Sequence, residues 1–148
     1  MKALIPGDVV LAWLHFVAIF TTGGLLIAER ALLRPALVTI EPRRLARVDL
    51  GYFIAVIAVV ATGLARAFFG PKGWSYYASN PMFWTKIGLF VAVGIISIGP
   101  TRAFLRWRRA EHVPADAVRS VARIVAIELA LLALVPLAAV LLARGVGA

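Results

Sequence analysis

Lys, Arg, Asp and Glu vanish from three stretches of the chain, Val9 to Ala28, Leu50 to Ala65 and Ile87 to Thr101, and a fourth, Ile124 to Ala143, is broken only by Glu128. At about 1.5 Å of rise per residue, roughly 20 helical residues cross a hydrocarbon layer about 30 Å thick. The first and last stretches reach that length unaided. The middle two reach it only if Arg66 and Lys86 lie inside their helices. The pattern predicts an all-α protein, a single domain over residues 1–148 folded as an integral membrane four-helix bundle in up-down order.

Turn and cap residues divide the spans. Asp8, behind Pro6 and Gly7, is placed to cap a first helix that ends near Glu29 or Arg30. Pro35 and Pro42 punctuate the next connection. A second helix runs from about Asp49 to Gly70, where Gly70, Pro71 and Gly73 break it. Asn80 and Pro81 open a third that continues past Pro100 towards Trp107. Asp116 is a cap for the fourth, which contains Pro136 and ends near Ala143, before Gly145 and Gly147. The first span reads as a retained helix and not a cleaved signal. Gly23, Gly24, Gly63, Gly88 and Gly94 are expected where helices approach closely.

Composition agrees: 62% of the residues are hydrophobic and the mean hydropathy is +0.93. A formal net charge of +9 would suggest nucleic acid in a water-soluble protein. Here the charge marks sidedness, and no nucleic-acid partner is expected. Arg30, Arg34, Arg43, Arg44, Arg47, Arg102, Arg106, Arg108, Arg109, Arg119 and Arg123 all flank one membrane face, against Lys2, Lys72 and Arg144 clear of the spans on the other. The positive-inside rule then puts both termini outside, in a bacterial cytoplasmic (inner) membrane. Trp13, Trp74, Tyr76, Tyr77 and Trp84 form an aromatic belt at the outer interface. The absence of Cys excludes disulfides and thiolate chemistry. With Met1 and Met82 the only methionines, copper transport lacks soft ligands. No phosphate-binding glycine loop or zinc-protease pair is present.

Polar residues inside the spans are the candidate chemistry. His15 is about 5 Å, Lys86 about 7 Å and Arg66 about 9 Å outward of the respective helix midpoints, so the three share one leaflet. Arg66 and Lys86 can snorkel to headgroups. His15 can pack neutrally or ligate a metal. His15, Thr22 and Glu29 recur every seven residues and form one polar stripe, suited either to tight packing or to a relay. Lys86 and Ser97 share a face of the third helix. Glu128, near the middle of the fourth, must be neutral, paired or solvated. Arg102 and Arg123 are its expected partners, and a proton or substrate role is the alternative. Glu29 and Asp49 are expected to join a network with Arg30, Arg47 or Arg102.

The segments LAWLHFVAIFTTGGLLIAE, DLGYF, TGLAR, NPMFWTKIGLF, SIGPT and VPLAAVLLARG, spread over nearly the whole chain, resemble the bacterial membrane-protein family called domain of unknown function 2214. More remotely, a histidine early in the first helix ahead of small residues, with a lysine opening the third, resembles HemJ-type protoporphyrinogen oxidases and CopD-type membrane domains. That second resemblance implies a b-type haem, with His15 as axial ligand and Lys86 as opposite ligand or propionate neighbour. By its own permanent charge, and not by the resemblance, Arg66 is expected to be able to neutralise a propionate as well. The chain departs from the HemJ-type pattern at Thr22-Gly23-Gly24 and in having Arg66, Glu29 and Glu128.

Three functions follow as expectations. The first is a haem-binding membrane redox protein, for electron transfer or quinone-coupled oxidation, working with a redox partner or as a homo-oligomer. The second is a proton or small-solute transporter using Glu128, Thr22, Glu29 and Arg102 around His15. The third is a non-catalytic membrane subunit or assembly factor whose Arg102, Arg106, Arg108 and Arg109 meet acidic lipid or an acidic partner.

Overall fold

A computed structural model describes residues 6–145, so Lys2 and Gly147 lie outside the described residues. Its elements are α1 (Gly7–Leu32), α2 (Pro35–Ile40), α3 (Pro42–Phe69), α4 (Gly73–Ala78), α5 (Pro81–Trp107) and α6 (Ala115–Ala143). The helices α1, α3, α5 and α6 are 26 to 29 residues long and apolar enough to cross a membrane. Each is about 40 Å long. Pairings fix their directions: His15 meets Thr62 while Leu25 meets Gly51, so α1 and α3 are antiparallel. Tyr52 meets Ser97 while Thr101 meets Asp49, which makes α3 and α5 antiparallel too. α5 packs on α6, and α6 returns to α1, closing an up-down ring.

Starts and stops differ in detail from the expected ones. Asn80 caps α5 as anticipated, its Oδ1 accepting from the Met82 amide at 2.8 Å. Asp8 and Asp116 lie in the first turns of α1 and α6 instead of capping them. There a carboxylate still favours the positive end of the helix dipole. α3 begins at Pro42, seven residues before the expected Asp49. Proline is suited to that first position, and Leu45, Asp49 and Tyr52 face inward at helical spacing. Two of the three connections carry the short helices α2 and α4, where turns were expected. Gly73 opens α4 with φ +72°, a left-handed conformation suited to glycine.

The interior is asymmetric along the membrane normal. At the arginine-rich end, one apolar cluster joins Leu26, Leu33, Leu45, Phe104, Trp107, Val118 and Val125. At the other end the buried positions mix Ala18, Ala67 and Ala138 with Val59, Phe83, Val93 and Leu142, none of which joins that cluster. Aromatic rings close that end. Trp74 stacks on Phe68 at 4.8 Å and meets Phe83 and Trp84 edge-on, while Trp84 Nε1 donates to the Ala78 carbonyl at 2.9 Å. Outward faces are apolar and bare, as at Phe20, Ile27, Phe53, Ile95 and Leu137, the surface a helix shows to lipid.

The expected glycine contacts are mostly absent. A methyl group built on Gly23, Gly24, Gly88 or Gly94 would meet nothing within 4 Å. In a ring of four helices much of each circumference faces outward, and Gly24, Gly88 and Gly94 lie on exposed faces. Gly63 alone of the five makes a close approach. Its Cβ would lie 3.0 Å from Cε1 of His15.

Candidate functional site

Polar side chains gather at two levels of the bundle. Towards the aromatic end, the missing side chain of Gly63 makes room for the imidazole of His15 against α3. His15 Nδ1 lies 2.8 Å from Thr62 Oγ1, and that hydroxyl lies 2.6 Å from the carbonyl oxygen of Ala58. A threonine hydroxyl has one proton, and the Ala58 carbonyl can only accept. With that proton on Ala58, Nδ1–H of His15 donates to Thr62 and Nε2 is left bare, the tautomer that suits a ligand or an acceptor. Arg66 and Lys86 are within electrostatic reach of His15 and of each other. Their charged heads also face aromatic rings, Arg66 at 5.9 Å from Phe16 and Lys86 at 5.6 Å from Phe83. The three residues expected to share a leaflet lie near one another at the same end of the bundle. Thr62, which orients the histidine, was not anticipated.

Nearer the arginine-rich end, three carboxyl groups enter the same interior. Glu29 of α1 and Glu128 of α6 are 1% exposed and Asp49 of α3 is 7% exposed. Glu29 lies within electrostatic reach of both others. The polar partners of Asp49 and Glu128 are hydroxyl groups. Thr101 Oγ1 donates to Asp49 Oδ1 at 2.9 Å. Ser97 Oγ lies 2.7 Å from Glu128 Oε2, 2.9 Å from the Val93 carbonyl oxygen and 3.1 Å from the Tyr52 hydroxyl. Oε1 of Glu29 and Oε1 of Glu128 are buried without any hydrogen-bond partner.

The arginine partners expected for these acids are not there. Among the described residues the one ion pair is Arg44 with Glu41 at 3.5 Å, on the exposed surface. Arg30, Arg47, Arg102 and Arg123 are all exposed. Helical geometry explains the difference: five residues turn a helix by about 140°, so Arg123 points away when Glu128 points inward, and Arg102 likewise opposes Ser97. Arg102 therefore leaves the polar network, while Asp49, Tyr52, Ser97 and Thr101 join it. The stripe on α1 does face the interior, but Thr22 Oγ1 donates to the Ala18 carbonyl of its own helix at 2.9 Å. It makes no side-chain bridge between His15 and Glu29.

The fold and its apolar exterior define an integral membrane protein with ionisable groups in its bundle. The chain belongs to the family described as Predicted membrane protein (DUF2214), which matches residues 7–147. No curated protein and no solved structure matches it.

Proposed function

We propose that the protein handles protons in the membrane, as a proton conductor or a proton-coupled carrier of a small solute, with Glu128 as the central carboxyl group. The observation that carries this reading is the environment of Ser97. Its one proton cannot serve both Val93 and Glu128, whereas a protonated Glu128 donating to Ser97 Oγ lets that hydroxyl donate onward to Val93. Tyr52 then donates to the remaining lone pair. A carboxyl group that holds a proton in this way is also the inexpensive form for three acids gathered in a bilayer without a cation. The apolar cluster separates Glu128 from water at the arginine-rich end, so a proton route towards the other end requires the aromatic rings there to part.

The experiment is reconstitution into vesicles containing a trapped pH-sensitive dye, with a membrane potential imposed. Wild type should carry protons faster than empty vesicles, and Glu128→Gln should lower that rate about a hundredfold or more, the scale of losing a positioned proton-transfer group. Glu41→Gln, on the surface, should leave it unchanged. Flux equal to that of empty vesicles, or unaffected by Glu128→Gln, overturns the reading.

The geometry around His15 favours a second reading, a b-type haem for membrane electron transfer or quinone-linked oxidation. The donor set fits: a bare imidazole Nε2 for iron, with Arg66 and Lys86 beside it for carboxylates of the cofactor, or Lys86 as a neutral amine ligand. Haem would supply one-electron chemistry there. Thr62 would orient the ligand, and the two cations would hold the anionic edge. Protein purified from haem-replete cells should then show a visible haem spectrum that His15→Ala abolishes. A colourless protein that takes up no added haem overturns this reading.

A further inference from the structure

Sidedness explains how many arginines lie at one end of the molecule, but not why four of them converge on one hollow. Arg43 and Arg47 come from the first two turns of α3, and Arg108 and Arg109 from the turn that follows α5, more than sixty positions later in the chain. Together with Ala46 and Leu50 they line a depression of about 690 Å³. That volume lies within the range of small-ligand sites, roughly 300–1,000 Å³. Among the described residues no carboxylate pairs with any of the four. Four guanidinium groups facing one space repel each other unless an anion enters it, and guanidinium is the group best matched to phosphate oxygens.

The hollow is polar only at its rim. Arg43, Ala46, Arg47 and Leu50 lie at i, i+3, i+4 and i+7 on one face of α3. Over that run the helix descends about 10 Å towards the membrane interior. Leu50, at the deep end, is 59% exposed and faces lipid. A ligand filling this space has a phosphate head and an apolar body leading into the bilayer. Basic hollows between helices on the cytoplasmic side suit anionic lipid headgroups.

We propose that the cleft of Arg43, Arg47, Arg108 and Arg109 binds the headgroup of an anionic phospholipid, with an acyl chain along Ala46 and Leu50. The inference does not depend on the proton or haem readings. It separates Arg108 and Arg109 from Arg102 and Arg106, which lie at the same end but do not line the cleft.

The test compares two double variants with equal loss of charge, Arg47→Gln with Arg108→Gln in the cleft, and Arg102→Gln with Arg106→Gln outside it. Delipidated protein is titrated with anionic phospholipid in a zwitterionic background, and bound lipid is counted by native mass spectrometry. Circular dichroism verifies that both variants retain wild-type helix content. Wild type and the outer variant should bind one anionic lipid with similar affinity, while the cleft variant binds about thirtyfold more weakly. Equal weakening in both variants would mean diffuse surface charge and overturn the site. Displacement of the lipid by millimolar inorganic phosphate would make the cleft a soluble-anion site and overturn the lipid assignment.

Discussion

Glu128 and Ser97 form a unit in which the two partners should respond differently to substitution. Glu128→Gln keeps the shape and a donor for Ser97, so the unfolding midpoint in detergent should stay level or rise. Ser97→Ala strands Glu128 Oε2 and the Tyr52 hydroxyl, and should cost about 1–3 kcal/mol. If Glu128→Gln destabilises as much as Ser97→Ala, the carboxyl group is ionised and its charge is structural. At His15 the reporter is the tautomer. Thr62→Val preserves volume but removes the acceptor for Nδ1–H, and nitrogen NMR of the imidazole should show the proton redistributed between the ring nitrogens. Gly63→Val acts sterically, since even its first added carbon would lie 3.0 Å from the ring. It should displace the imidazole and cost about 1–3 kcal/mol. The sequence pointed to His15, Lys86, Arg66 and Glu128 because ionisable groups are conspicuous in apolar runs. Thr62 was harder to see, because a threonine in a membrane helix satisfies its own backbone and gives no signal unless the neighbouring helix is known.

At the scale of elements, the long helices were legible because an apolar run has a length, and lengths compare directly with a bilayer. The start of α3 was not, because Arg43, Arg44 and Arg47 look like a loop until Leu45, Asp49 and Tyr52 are seen as one inward face. Which faces of different helices meet is written nowhere in a single chain, so Glu29, Asp49 and Glu128 were assigned to nearby arginines instead of to a common interior. The helix α4 passed for a turn, since six residues carry too little pattern. Its anchoring by Trp74 yields a prediction. Trp74→Ala removes the stack on Phe68 and two edge contacts, each worth about 0.5–1.5 kcal/mol beyond the area it buries. Amide exchange over residues 73–78 should accelerate, while that over 118–125 stays as in wild type. Uniform acceleration would mean that the aromatic cluster supports the entire bundle.

For the whole molecule, the charge asymmetry predicts an orientation that the absence of cysteine makes simple to measure. Single cysteines at Ser75 in α4 and at Ala110, just beyond α5, are both on exposed positions. In intact cells a membrane-impermeant thiol reagent should label the first and not the second. The reverse result would invert the bundle and place the arginine cleft on the outer leaflet. The uneven interior has a further consequence, for motion. The connected apolar cluster gathers around Leu26, Phe104, Val118 and Val125, whereas Val59, Phe83, Val93 and Leu142 at the opposite end lie outside it and are held by fewer contacts across the bundle. Local opening draws on the least cohesive part first. The helices should therefore part from the aromatic end while remaining hinged at the arginine end, so that amides near Val59 and Ala138 exchange through partial opening and those near Val121 only through complete unfolding. Breathing of this kind would bring water to His15 before it reached Glu29.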